Sequence, residues 1–200
     1  MKRVAVFIDY RNCFHLAREV FASKPFPKVT DGQFWPSELA QLLVEKAPVD
    51  ERRTLTHVGL YTGRPDPRKD AKTAAANSRQ LAAWMAKSPT LALKTRALRY
   101  PPYRPVSEAE EKGVDVQLAI DAMLMGARGE FDVAILASTD TDMLPVLEGL
   151  LGLNLDLECE VVAWAGLSQK LALPGQTIPV RWIGPRDFHT IADTTHYSPS

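Results

Sequence analysis

The sequence has only two cysteines, Cys13 and Cys159, too few for a disulfide framework and without the spacing of a zinc knuckle or finger. It has no excess of charge. Lys plus Arg and Asp plus Glu both number 24, so any surface that attracts a polyanion must be local. It has no long apolar run either: Val4 to Ile8 is stopped by Asp9, shorter than a signal-peptide core, and no segment approaches the roughly 20 apolar residues that span a bilayer. No membrane partner is expected, and the cytoplasm is the expected setting. The four histidines, His15, His57, His189 and His196, lack metal spacing. A Gly-rich phosphate loop with its Lys and a Gly-x-Ser-x-Gly elbow are both absent. An EF-hand starting at Asp140 would need Gly at its sixth position and Glu at its twelfth, where the chain has Pro145 and Leu151.

What is there suits one folded domain. An apolar fraction of 46% and a charged fraction of 24% over 200 residues are those of a soluble globular chain able to bury its own core. The expected domain covers 1–186, with 187–200 as a flexible C-terminal tail. Continuous apolar runs at Val4–Ile8 and Asp132–Ala137 read as strands covered on both faces. Further strands are expected at Leu55–Tyr61, Leu91–Leu98, Glu158–Ala165 and Val180–Ile183. Helical spacing or composition falls between them: after Asn12, from Trp35-Pro36-Ser37, over Ala71–Lys87, over Gly113–Ala127 and from Met143 to Leu151. A short helix is also expected near Leu167–Leu173. Strands alternating with helices argue for an α/β fold, a single doubly wound α/β/α sandwich with a mainly parallel sheet.

In such sheets ligands sit beyond the carboxyl ends of the strands, where the strand order reverses. Asp9 follows the first strand and Asp140 the fourth, so the architecture brings together two acids about 130 positions apart. Asp142 follows in the same turn, and Asp115 opens the helix after Lys112-Gly113. Taken singly, Asp9 and Asp142 read as helix caps, and Asn12 as a cap or a group that holds a carboxylate or phosphate oxygen. Asp121, in a nearly all-apolar helix, reads as the internal partner of an arginine. Acids collected at one ligand-binding edge repel each other and call for a cation, and Mg²⁺ prefers such oxygen donors. With phosphodiesters, a metal of this kind supports hydrolysis without a covalent intermediate.

The motifs Phe7-Ile8-Asp9-Tyr10-Arg11-Asn12, Lys112-Gly113-Val114-Asp115-Val116 with Asp121, and Ser138-Thr139-Asp140-Thr141-Asp142 with Pro145 resemble those of the NYN domain, the LabA-like branch of the PIN-like nucleases. The resemblance spans nearly the whole chain. It implies a PIN-like fold and a Mg²⁺- or Mn²⁺-dependent ribonuclease, with Asp9, Asp115, Asp140 and Asp142 as metal ligands and catalytic acids, and Asn12 and Ser138 assisting. The family often has Gly where this chain has Thr139, and Phe where it has Met143.

Basic residues gather in two places. Arg64, Arg68, Lys69, Lys72 and Arg79 follow the second strand; Lys94, Arg96, Arg99 and Arg104 surround Tyr100 and Tyr103. Charge interleaved with rings suits a single-stranded nucleic acid. The expected partner is therefore single-stranded RNA, contacted by Arg11, Arg64, Arg68, Lys69, Arg99, Lys112, Tyr103, Ser138 and Thr139. A homo-oligomer is compatible with the sequence. Two other functions fit the same residues: an RNA- or protein-binding module on a nuclease-like fold, and a small-molecule phosphatase. The second is disfavoured because its Asp-x-Asp would follow the first strand rather than the fourth.

Overall fold

The computed structural model describes all residues except 89, 104, 106–108, 154–155 and 199–200. Arg104, one of the expected basic residues, lies outside the described residues. Six parallel strands form one sheet in the order β3-β2-β1-β4-β5-β6. They are β1 (Lys2–Asp9), β2 (Arg53–Arg64), β3 (Leu91–Ala97), β4 (Val133–Ala137), β5 (Glu158–Trp164) and β6 (Val180–Ile183). The helices are α1 (Tyr10–Phe21), α2 (Pro36–Glu45), α3 (Ala71–Lys87), α4 (Val114–Ala127), α5 (Leu144–Gly152) and α6 (Pro185–Ile191).

The apolar run of β1 explains its central place. Val4, Val6 and Ile8 face one core with α1, α2 and α3, while Ala5 and Phe7 face a second core with α4 and α5. All five are fully buried, so neither face of this strand tolerates a polar side chain. The strand order reverses between β1 and β4, and this reversal creates the crevice at their carboxyl ends.

Three expectations are corrected. Residues 167–173 form no helix: Leu171 and Leu173 are buried and Ala172 between them is exposed, a two-residue alternation that an extended segment satisfies and a helix does not. The C-terminal segment is no loose tail. Phe188 and Ile191 of α6 pack into the first core, and Asp193 and Tyr197 beyond it are buried. Among the described residues Asp121 has no arginine on its carboxylate; it accepts from the Tyr61 hydroxyl at 3.1 Å and the Gln117 amide at 2.9 Å.

The most demanding polar burial lies on β5. Glu160, 2% exposed, bridges Arg53 of β2 at 2.7 Å and Arg181 of β6. Removing the shared carboxylate leaves Arg53 with Glu51 at 2.8 Å and takes from Arg181 the carboxylate it pairs with. Glu160→Ala is expected to lower stability by about 3–5 kcal/mol in urea denaturation, whereas a loss under about 1 kcal/mol would show that water replaces the carboxylate there.

Candidate active site

Parallel pairing sets Ile8 opposite Ala137, so Asp9 and Ser138 leave the sheet side by side. The Ser138 hydroxyl donates to Asp9 Oδ2 at 3.2 Å and accepts the Asp140 N–H at 3.2 Å. Asp9 Oδ1 accepts the Asn12 N–H at 3.2 Å and so caps α1. Asn12 lies inside the first turn of that helix and is not its cap. Its side-chain oxygen instead accepts the Thr139 N–H at 2.9 Å, and so ties α1 to the turn after β4. Asp140 Oδ1 accepts the Asp142 N–H at 3.0 Å and caps a single 3-10 turn, Thr141–Met143. Asp9 and Asp140 thus serve as caps, and each leaves one carboxylate oxygen outside its capping bond.

Gly113 precedes α4 with a φ of +73°, a left-handed conformation that favours glycine. The reversal there brings Glu111 and Lys112 on one side, and Asp115 in the first turn of α4 on the other, to the same space. A cavity of about 280 Å³ results, lined by Asp9, Glu111, Lys112, Asp115, Asp140 and Asp142.

A family model of the NYN domain matches residues 3–173. The chain belongs to the NYN domain family. That family lies within the PIN-like nuclease superfamily, whose members generally use divalent metal ions. No curated protein matches the sequence. Among solved structures, the chain is similar to a protein of unknown function from Vibrio parahaemolyticus, with a TM-score of 0.50, 15% identity and 80% of each chain covered. That likeness shows the shared fold alone.

Glu111 is the site residue that sequence reasoning missed in this NYN domain. Within Glu110-Glu111-Lys112 it looks like part of a solvated charge run. In the structure its carboxylate accepts the Gly63 N–H at the end of β2. A side chain on Gly63 would place its Cβ 2.7 Å from Glu111 Oε1, so the carboxylate would have to shift from its present place. The only sequence signal was its place directly before Lys112-Gly113.

Among the described residues, none of the basic residues of the two clusters after β2 and β3 lines the acidic cavity. The Leu98 N–H bonds Arg64 O at 3.0 Å and the Asp66 N–H bonds the Tyr100 hydroxyl at 2.9 Å, which joins the loops after β2 and β3. Lys69 sits 4.9 Å from the Tyr100 ring centre, and Arg68 is held by Asp66 at 2.8 Å. Arg64 and Arg99 are exposed, and Arg99 pairs through its backbone with Glu110. Tyr103 is 98% exposed, a free ring surface. Arg11 donates to Ala109 O at 3.3 Å and anchors the second loop to α1.

Around the cavity, five carboxylates face one lysine, and Lys112 is itself 3.7 Å from Glu110. Among the described residues no three acids converge as a ready-made metal cage. Mg²⁺ does not require one, because it keeps several waters beside one or two carboxylates. An all-oxygen donor set with surplus negative charge therefore fits a hard divalent cation.

Burial pushes the Asp9 carboxyl up to about 6, helped by the charges of Glu111 and Asp140 and opposed by its bonds from Asn12 and Ser138. Burial also raises Glu111, against the Gly63 N–H, Arg11 and Thr62. Between the ordinary 3.8 and about 6, folded Asp9 keeps a proton that the unfolded chain has released. Stability in the absence of metal therefore falls as pH rises through this window, and the full cost persists above it. Asp9→Asn, which keeps an oxygen for the helix cap, should stabilise the protein in EDTA by ~1–3 kcal/mol at pH 7.5 and by much less at pH 4. Urea denaturation at the two pH values checks this, and a pH-independent difference would contradict it.

Proposed function

We propose that this NYN domain is a Mg²⁺- or Mn²⁺-dependent ribonuclease that hydrolyses phosphodiester bonds of single-stranded RNA, cutting within the strand. The observation that carries the reading is that Asp9, Asp115, Asp140 and Asp142 line one cavity at the reversal point of the sheet. These four would hold the ion, which when bound polarises a phosphoryl oxygen and makes a water nucleophilic near neutral pH. Ser138 and Asn12 orient the two turns that carry Asp9 and Asp140. Lys112 stands at the cavity wall, where its ammonium offsets charge that grows on phosphate oxygens. Glu111 lines the same cavity as Asp9, its carboxyl raised by burial. The strand would run over Arg11, Arg64, Arg68, Lys69 and Arg99, with Tyr103 stacking a base and Ser138 and Thr139 near the phosphate.

Asp140→Asn keeps the capping oxygen but removes a charge at the cavity. It should reduce cleavage of end-labelled single-stranded RNA in Mn²⁺ by about 10²-fold or more, with an unchanged circular dichroism spectrum. Equal cleavage by purified parent and variant, with contaminating nuclease excluded, would remove the assignment.

One observation favours a second reading, a binding module with negligible turnover: the acids surround a space without converging as a cage. Retention of RNA without cleavage in both Mg²⁺ and Mn²⁺ would select it.

A further inference from the structure

The nuclease reading leaves a second cavity without a role. It measures about 220 Å³ and is walled by Thr73, Asn77 and Gln80 of α3, Gln33 before α2, and Thr195 and Tyr197 after α6. It reaches the carboxyl end of β2 at Gly63. Gly63 is also the residue whose N–H bonds Glu111 in the acidic cavity, so the two spaces share one strand end.

This cavity is built, not a gap beneath a loose end. Asp193, 1% exposed, accepts from the Trp84 indole at 3.0 Å, the Tyr197 hydroxyl at 2.8 Å and the Thr195 N–H at 3.0 Å. Arg79 of α3 donates to Tyr197 O at 3.3 Å. One buried carboxylate and one guanidinium thus fasten the C-terminal wall to α3.

Its chemistry differs from that of the acidic cavity. Among the described residues the lining contains no Asp, Glu, Lys or Arg and a single histidine, His196, so a phosphate would find no fixed positive charge and a metal ion no carboxylate. It offers amides and hydroxyls, which present donors and acceptors to a neutral ligand. Gln33 Oε1 and Asn77 Oδ1 are buried and have no hydrogen-bond partner among the described residues. A buried acceptor left unpaired is costly, and a side-chain rotation that turns either amide into the cavity exchanges that cost for a bond to a ligand edge. The volume falls below the roughly 300–1,000 Å³ of drug-sized sites, which leaves room for one planar ring system.

We propose that this cavity receives one unpaired nucleobase of the RNA strand, with Asn77 and Gln33 reading its edge. The inference rests on the reading of the neighbouring cavity as a nucleic-acid site. It gives the protein a base preference at a fixed distance from the bond cut, set by neutral amides rather than by the basic loops. Asn and Gln pair with adenine through one donor and one acceptor, which makes adenosine the expected best ligand.

The test uses the full chain in EDTA with adenosine, guanosine, cytidine and uridine as probes, so that neither metal nor phosphate contributes. Adenosine should shift the NMR signals of the Asn77 and Gln33 side-chain amides saturably. Asn77→Leu, whose lost oxygen has no partner among the described residues, should weaken binding about tenfold without changing the melting temperature. Gln33→Leu serves as the second variant should the first not fold. No saturable shift at these amides with any nucleoside, or equal affinity in a folded variant, overturns the proposal. RNA cleavage in Mn²⁺ is scored separately: cleavage without nucleoside binding overturns the base pocket alone, whereas nucleoside binding without cleavage supports the pocket and overturns the nuclease reading.

Discussion

The parallel pairing of β1 with β4 is the constraint on which the rest of the site depends. With Ile8 opposite Ala137, the next residue on each chain is polar, and Asp9 meets Ser138 at the point where the sheet order reverses. A slip of one residue would turn Phe7 and Ile8 to the wrong cores and would separate the two turns. The buried run Val4–Ile8 prevents that slip, because each side chain is enclosed on its own face. The apolar core thereby fixes the position of a charged group at its edge.

Repulsion among the acids is contained locally. Each of the central carboxylates accepts at least one hydrogen bond from the chain it sits on or beside: Asp9 from Asn12 and Ser138, Asp140 from Asp142, Glu111 from Gly63. These bonds hold the groups in place but do not neutralise them, and burial still leaves Asp9 well above its ordinary range. A cation would remove the remaining cost, so a metal affinity of this site and the cost of ionising Asp9 without metal would have one cause. The loops after β2 and β3 are joined to each other through Tyr100 and Leu98, and their described basic residues do not line the cavity.

Much of this was legible in the sequence because it depends on chain order. Alternating apolar runs and helices specify a parallel sheet; Asp9 ends the first strand, and Asp140 lies in the turn that follows the fourth. Glu111 was hidden because its partner, Gly63, is 48 positions away and contributes only a backbone N–H. The partner of Asp121 was misread for a similar reason: the Tyr61 hydroxyl reaches it across the sheet–helix interface, which no helical spacing reveals. Leu171 and Leu173 were read as helical because apolar content alone does not separate a helix from an extended segment over seven residues. The polar C-terminal segment looked frayed because its anchor is one buried carboxylate, Asp193, and not a run of apolar residues.

The central claim is that the acids around Asp9 and Asp140 form a divalent-cation site. Anomalous scattering from crystals of the protein soaked in Mn²⁺ tests it most directly. The account predicts a Mn²⁺ peak inside the cavity bounded by Asp9, Asp115 and Asp140. Saturating Mn²⁺ with no peak in that cavity would contradict it.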